Sequence, residues 1–335
     1  MPRPKVLLAL YHLGDRARPL VDALAQGGFE VVTNTLGRCY TEDELVQVLP
    51  GVFSTIAAVE PYTDRVFDAA KDLKVVARYG VGYDAVDVAA ATRHGVAIAM
   101  AFGANHEAVA DSAFTLLAAV VQQTVPTHLL VKSGGWKSGA IHPGLWKLTV
   151  GIIGLGRIGK AMARRCRGFD MRVLAYDIMP DHSFAREHGV EFVPLETLFR
   201  ESDAVSVHAP HAPETDRLIS RKTLALMKPG SYLVNTARGG LVDEEALYEA
   251  LTTGRLAGAG LDVFRTEPLP KTSPLRTLDN VVLSPHSAGL NLRSEEAVGK
   301  RCVESILAIA RGENPGAEYL LNPEVLKPGR SVLPS

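Results

Sequence analysis

The stretch Val150-Gly-Ile-Ile-Gly154-Leu-Gly156-Arg157-Ile158-Gly159 decides the fold. An apolar strand pattern breaks there into G-x-G-x-x-G and continues as a helical pattern from Lys160 to Phe169. A second apolar run over 171–176 ends on an acid, Asp177, eighteen residues past Gly159. Gly154 allows a tight turn, Gly156 lets the backbone approach a pyrophosphate, and Gly159 lets helix and strand pack closely. The helix start then offers unpaired N–H groups and a partial positive charge to phosphates. A glycine turn by itself is common. With both strands, the helix and the spaced acid, it points to a bound dinucleotide. The acid also bears on which one, because a carboxylate accepts both ribose hydroxyls and repels a 2′-phosphate. Ile178, Met179, Pro180 and Asp181 follow it, with no Arg or Lys to receive that phosphate, so NAD is expected over NADP.

Around this run, apolar β-rich segments alternate with helical patterns. Strands are expected at 5–10, 29–32, 55–59, 74–78 and 96–100 before the fingerprint. After its own strand at 150–153 come 171–176, 204–208, 232–235, 258–261 and 281–283. Short strands separated by helices imply parallel sheets with helices on both faces. They are too many for one sheet, so two Rossmann-like α/β domains are expected in the 335 residues. The first strand leads into Tyr11-His-Leu-Gly-Asp, which is no phosphate fingerprint. A long helical pattern spans 106–131, with Asn105 as its N-cap and Pro126 expected to kink or end it. A loop marked by Trp136 and Trp146 follows. Another helix is expected over 293–311, and a tail containing Pro315, Pro323, Pro328 and Pro334 reads as loose.

Composition excludes several classes. A net charge of −1 gives no footprint for nucleic acid or an anionic membrane. Cys39, Cys166 and Cys302 are scattered, without zinc spacing or a disulfide framework, which suits a reducing cytoplasm. The apolar run 6–10 is too short for a signal sequence or a membrane span and reads as a buried strand. His106-Glu107 resembles the start of H-E-x-x-H, but position 110 is Ala, and no metal is expected.

Three segments beyond the fingerprint carry polar residues at the ends of apolar strands, where open α/β sheets bind ligands. In Asn235-Thr-Ala-Arg238-Gly-Gly240, an arginine can grip a carboxylate in a fork of two hydrogen bonds, or simply bond a helix end. Asp262 and Glu267 lie in one loop and could be solvated charges. His286, in Leu283-Ser-Pro285-His286, could be an ordinary loop residue, and His208 could line an adenine site or be structural. Together with a dinucleotide, they supply what alcohol oxidation requires: a base, an anion holder and a partner that tunes the base.

With these residues in view, the chain resembles the D-isomer-specific 2-hydroxyacid dehydrogenases, in particular their phosphoglycerate-dehydrogenase-like branch. The likeness runs through Arg78-Tyr-Gly-Val-Gly-Tyr-Asp-Ala-Val-Asp87, Gly103-Ala-Asn105 and Val109-Ala-Asp111. It continues through the fingerprint, Val207-His-Ala-Pro210, Glu214-Thr215 and the three segments above. It implies two similar domains, with an NAD-binding Rossmann domain (105–289) inserted into a flavodoxin-like substrate domain (1–104 and 290–335).

The resemblance implies roles as well. Arg238 would bind the substrate carboxylate and carbonyl oxygen. His286 would be the acid or base, and Glu267 would keep it protonated. Arg157 and Ile158 would meet the pyrophosphate between Gly154, Gly156 and Gly159, and Asp177 the ribose. His208, Ala209, Pro210 and Thr215 would line the adenosine side; Thr236, Ala237, Arg238, Asp262, His286, Ala288 and Gly289 would surround the nicotinamide side. Tyr79, Val81 and Gly82, with Arg238 and His286, would hold a 2-hydroxy or 2-keto acid in a cleft between the domains. A homodimer joined through the coenzyme domains and the arm near Trp136 is implied too. Glu60 departs from the pattern: phosphoglycerate enzymes carry an arginine after this strand, and a glutamate would repel a phosphate. Related readings on the same architecture are a formate or phosphite dehydrogenase, and an NADH-sensing scaffold like the C-terminal-binding corepressors. Formate enzymes carry glutamine where Glu267 stands.

Overall fold

A computed structural model describes residues 3–11, 13–136 and 141–326. The chain forms two compact units, 1–105 with 291–335, and 106–290. The first is built on β1 (Lys5–Leu8), β2 (Glu30–Thr33), β3 (Val52–Ala57), β4 (Val75–Arg78) and β5 (Ala97–Met100), in the order β2-β1-β3-β4-β5. Its named pairs are all parallel. β3, β4 and β5 are buried at every position, as strands covered on both faces must be. Two apolar clusters supply that cover, one around Leu8, Ile56 and Ile306, the other around Leu45, Tyr62 and Ile98. Ile306 lies on the helix Leu292–Ala310, which returns the chain to this sheet.

The second unit carries β6 (Thr149–Ile153), β7 (Arg172–Tyr176), β8 (Val190–Phe192), β9 (Ala204–Val207), β10 (Ser231–Asn235), β11 (Leu256–Leu261) and β12 (Val281–Leu283). Their order is β12-β11-β10-β9-β6-β7-β8, again parallel throughout. Counted from β6, this is the doubly wound 3-2-1-4-5-6 order with one more strand at the β12 edge. The order reverses between β6 and β9, and the glycine turn leaves β6 at that switch point.

Four details differ from the sequence expectations. The tail is not loose as far as residue 326: Leu320 and Asn322 are buried, and the Asn322 side chain accepts from Ile98 N and donates to Val96 O, both at 2.9 Å, which ties it to β5. β8 was not expected: Val190-Glu-Phe is three residues long and carries an outward-facing acid, too little for an apolar run. The helical pattern over 106–131 is two helices, His106–Val121 and Thr124–Lys132, bent by 61°. The break falls at Gln123, whose φ is 50°, and not at Pro126. Pro126 sits in the first turn of the second helix, where a missing N–H costs nothing. Asn105 does not cap through its carbonyl oxygen, which is buried without a hydrogen-bond partner. Among the described residues no single helix is long and apolar enough to cross a membrane; only that bent pair passes jointly, and its first member is a core helix. No group of side chains there could hold a metal ion. Parts of the tail (327–335), the tryptophan-marked loop (137–140) and His12 lie outside the described residues.

Candidate active site

Gly154 ends β6 with φ 91°, and a Cβ there would meet the His208–Ala209 backbone at 2.8 Å. A Cβ on Gly159 would lie 2.1 Å from the Gly154 carbonyl oxygen. Packing alone therefore demands glycine at both positions. Gly156 is different: its φ is −71°, and nothing lies within 4 Å of an added Cβ. It caps the helix Arg157–Arg167 without any side-chain hydrogen bond, so the first-turn N–H groups are left to a ligand or solvent. Asp177 stands at the mouth of this turn. Its Oδ2 accepts from Leu155 N at 2.6 Å and its Oδ1 from Met179 N at 2.8 Å. Arg157 is exposed beside it and Ile158 half-buried.

The loop after β9 forms the neighbouring wall. Burial pushes His208 down to about 4, so its ring is neutral at physiological pH. Its Nε2 bonds the Ser206 hydroxyl at 2.8 Å, while Nδ1 is buried without a partner. The Thr215 hydroxyl donates to Pro210 O at 2.8 Å and accepts from Ala212 N, so it braces its own loop. Ala209 is half-buried and Pro210 exposed.

The ends of β10, β11 and β12 carry the polar set. Asn235 shapes the turn under Arg238: its side-chain NH₂ donates to Arg238 O, and its Oδ1 accepts from Ala237 N. Gly239 lets this turn touch the next loop, since a Cβ would fall 1.9 Å from the Phe264 carbonyl carbon. The Thr236 hydroxyl is buried without a hydrogen-bond partner. Asp262 is 1% exposed, which ends the reading of it as a solvated charge. Its Oδ1 accepts from the Ser284 hydroxyl (2.6 Å) and Ser287 N (2.9 Å), its Oδ2 from Ala288 N (2.9 Å). Oδ2 therefore keeps room for one more donor.

His286 sits on the loop that Asp262 holds, in the left-handed region at φ 51°. Such a conformation persists in a non-glycine residue only where its surroundings fix it. Its Nδ1 lies 2.6 Å from Glu267 Oε2, and Glu267 Oε1 accepts from Phe264 N at 2.9 Å. The bond to Glu267 holds His286 above its ordinary value, against burial and the charge of Arg238. Burial alone would raise Glu267, but its hydrogen bonds to His286 and Phe264 N outweigh it and the carboxyl ends below its usual range. Both shifts include Arg238, so its guanidinium belongs to the same electrostatic neighbourhood.

In the first unit, Tyr79, Val81 and Gly82 follow β4. Arg78, 6% exposed, donates to Ala57 O and Gly82 O at 2.8 Å each and fixes this loop. The Tyr79 hydroxyl donates to Glu295 O at 3.0 Å. Sequence reading gave no role to Arg78, Asn235 or Ser284. Their signal was weak: each is a polar residue at or just beyond a strand end, like many that merely close a turn.

A sheet end with a dinucleotide turn at the switch point and a proton-carrying histidine on the same edge can both hold a nicotinamide and move the proton that accompanies hydride. Open space at Gly156 and the unpartnered Thr236 hydroxyl fit such a ligand. The chain is an NAD-dependent oxidoreductase acting on CH–OH groups. The family model for the NAD binding domain of the D-isomer specific 2-hydroxyacid dehydrogenases matches residues 114–288. A glyoxylate reductase of Korarchaeum cryptofilum is 45% identical over 274 residues, covering 80% of this chain and 82% of that protein. A D-3-phosphoglycerate dehydrogenase of Archaeoglobus fulgidus is 37% identical over 294 residues, 87% of this chain and 55% of that protein. The structure of a D-lactate dehydrogenase from Aquifex aeolicus, complexed with NAD and lactic acid, superposes with a TM-score of 0.82 at 27% identity, covering 95% of this chain and 99% of that one. This chain belongs to the D-isomer-specific 2-hydroxyacid dehydrogenases and transfers hydride reversibly between NAD(H) and a 2-hydroxy or 2-keto acid.

Proposed function

We propose that the chain reduces short, unphosphorylated 2-keto acids of the glyoxylate and hydroxypyruvate type with NADH, using Arg238, Glu267 and His286. The 2.6 Å contact between His286 and Glu267 carries this reading, because it keeps an acid available near neutral pH. When bound, the reduced nicotinamide supplies the hydride. His286 gives its proton to the carbonyl oxygen as that oxygen becomes a hydroxyl, and takes it back in the oxidative direction. Arg238 holds the substrate carboxylate and the carbonyl oxygen, where its charge also stabilises the developing alkoxide. Asp262 holds the loop that aims His286, and its open acceptor site suits the nicotinamide amide. Gly154, Gly156 and Gly159 with the first helical turn take the pyrophosphate, and Asp177 the adenosine ribose. The loop Tyr79, Val81 and Gly82 receives the substrate carboxylate through its backbone.

Two observations favour a small uncharged side chain on the substrate. Glu60, 1% exposed beyond β3, stands where a phosphate-binding enzyme would need a cation; burial raises its carboxyl above the usual range against the pull of Arg78, and neither of its protonation states attracts a second anionic group. The glyoxylate reductase likeness is also the stronger of the two in identity, 45% against 37%, and in the share of the relative covered, 82% against 55%. In the same reading the chain works as a cytoplasmic homodimer, supported by three free thiols and by the exposed side chains of Trp136, Ile141 and Trp146. The deciding experiment is a panel of glyoxylate, hydroxypyruvate, pyruvate and phosphohydroxypyruvate with NADH. Turnover is expected to be greatest with the first two. No NADH oxidation with any of them would sink the enzymatic roles, and a preference for phosphohydroxypyruvate would overturn the substrate class.

A further inference from the structure

The loop that carries His286 is held from two sides. From β11, Asp262 takes three hydrogen bonds on its side chain, and its carbonyl accepts from His286 N at 2.8 Å. From the other side comes a residue outside the motifs quoted above: the Ser112 hydroxyl donates to Ala288 O at 3.0 Å. Ser112 lies on the helix His106–Val121, next to Asp111. Asp111 Oδ1 receives Arg165 Nε at 2.8 Å and Nη2 at 2.6 Å. Glu107, one turn earlier, pairs with Arg164 and, at 2.8 Å, with Arg165. Both arginines belong to the helix Arg157–Arg167 that opens at the glycine turn. Neighbouring helical residues point about 100° apart, so one turn can face two different elements. Asp111 faces the dinucleotide helix, and Ser112 faces the histidine loop.

We infer that Ser112 is a positioning residue for the hydride-transfer step: by holding the Ala288 carbonyl, it keeps His286 in its left-handed conformation and on Glu267. The inference rests on the role proposed above for His286. A backbone conformation that costs on the order of 1–3 kcal/mol needs contacts that over-determine it. On the Ala288 side of the loop, Ser112 supplies a contact that Asp262 cannot, because Asp262 accepts only N–H and O–H donors, whereas the Ala288 carbonyl needs a donor. The charged and titratable groups acting on His286 are Glu267 and Asp262 from the loops after β11, and Arg238 from the turn after β10. Ser112 carries no charge, so it can affect His286 titration only through geometry.

The test is Ser112→Ala beside Ser112→Thr, with glyoxylate and NADH as substrates. Ser112→Ala is expected to lower kcat roughly five- to tenfold, the worth of one hydrogen bond expressed in the reacting geometry. NADH affinity, read by fluorescence titration, is expected to stay within about twofold. The alkaline limb of the kcat profile is expected to move to lower pH, toward an ordinary histidine, and Ser112→Thr to restore both rate and limb. Histidine ring NMR of the whole protein, with the His286 signal assigned by its loss in His286→Gln, reads the same downward shift without turnover. Wild-type kcat and titration in Ser112→Ala overturn the inference, as does a rate loss that Thr does not restore. If wild type turns over no 2-keto acid, the enzymatic reading fails, while the NMR titration still decides whether Ser112 sets the His286–Glu267 contact.

Discussion

At the residue scale, one contact sets the pH behaviour of the candidate site. The raised value of His286 comes first from its hydrogen bond to Glu267. In Glu267→Gln that bond loses its charge, so the alkaline limb of keto-acid reduction is expected at lower pH and kcat at pH 8 to fall about tenfold or more. A limb that stays in place would show that Glu267 does not govern the acid. Stability follows the same pair. The contribution of the His286 imidazolium is complete below about 6.5 and is lost as pH rises through its raised folded value. That of Glu267 is complete above about 4.5 and is lost as pH falls through its lowered folded value. Replacing His286 by Ala removes the acid itself and is expected to cost about 10²- to 10⁴-fold in kcat while NADH still binds. Asp177→Ala is expected to relax the choice of NAD over NADP, read as the ratio of the two kcat/KM values; an unchanged ratio would mean that its bonds to Leu155 N and Met179 N are its whole role. The residues by themselves displayed His286, Glu267 and Arg238 only as polar residues at strand ends; it was the family resemblance that named Glu267 as the partner of the histidine. Asp262 and Glu267 are five residues apart in one loop, and only the fold buries the first under backbone N–H groups and turns the second to Nδ1.

At the element scale, the three fingerprint glycines are not equivalent, and this separates folding from binding. Gly159→Ala forces a methyl onto the Gly154 carbonyl, so the helix must leave the strand. A loss of roughly 2–4 kcal/mol is expected in urea unfolding, in the range of overpacked core sites. Gly156→Ala meets nothing within 4 Å at a φ open to any residue, so its unfolding midpoint is expected near wild type. Its NADH affinity is expected to fall at least tenfold, because the methyl fills space that the pyrophosphate needs. Equal unfolding midpoints for the two variants would contradict this division. This element was legible because its code is local: strand, turn, helix and acid lie within 28 residues, from Val150 to Asp177. The helix break was misread for the opposite reason. Proline is a visible breaker, but a glutamine at φ 50° carries no sequence mark, and Pro126 falls where a helix tolerates it. β8 escaped because a three-residue edge strand has almost no pattern of its own.

At the scale of the whole molecule, six of the seventeen large apolar side chains exposed among the described residues fall in one stretch. Val125, Leu129 and Val131 on the helix Thr124–Lys132 are 40%, 56% and 48% exposed. Trp136, Ile141 and Trp146 follow at 87%, 98% and 65%. Scattered single exposures need no explanation, but six within 22 residues of sequence put an unusual share of apolar area in water. Burying one such side chain is worth roughly 1.5–3 kcal/mol, so a few of them can offset the entropy of association. A net charge of −1 on the chain does little to oppose its pairing with a copy of itself. Light scattering on the eluting protein is therefore expected to give twice the 35.9 kDa chain mass. The double variant Leu129→Asp, Trp136→Asp places two charges on this stretch without touching a buried side chain. It is expected to elute as a folded monomer, with circular dichroism like wild type. A wild-type protein that stays monomeric at micromolar concentration would leave the stretch without a copy to cover it, and a variant that remains dimeric would place the interface elsewhere.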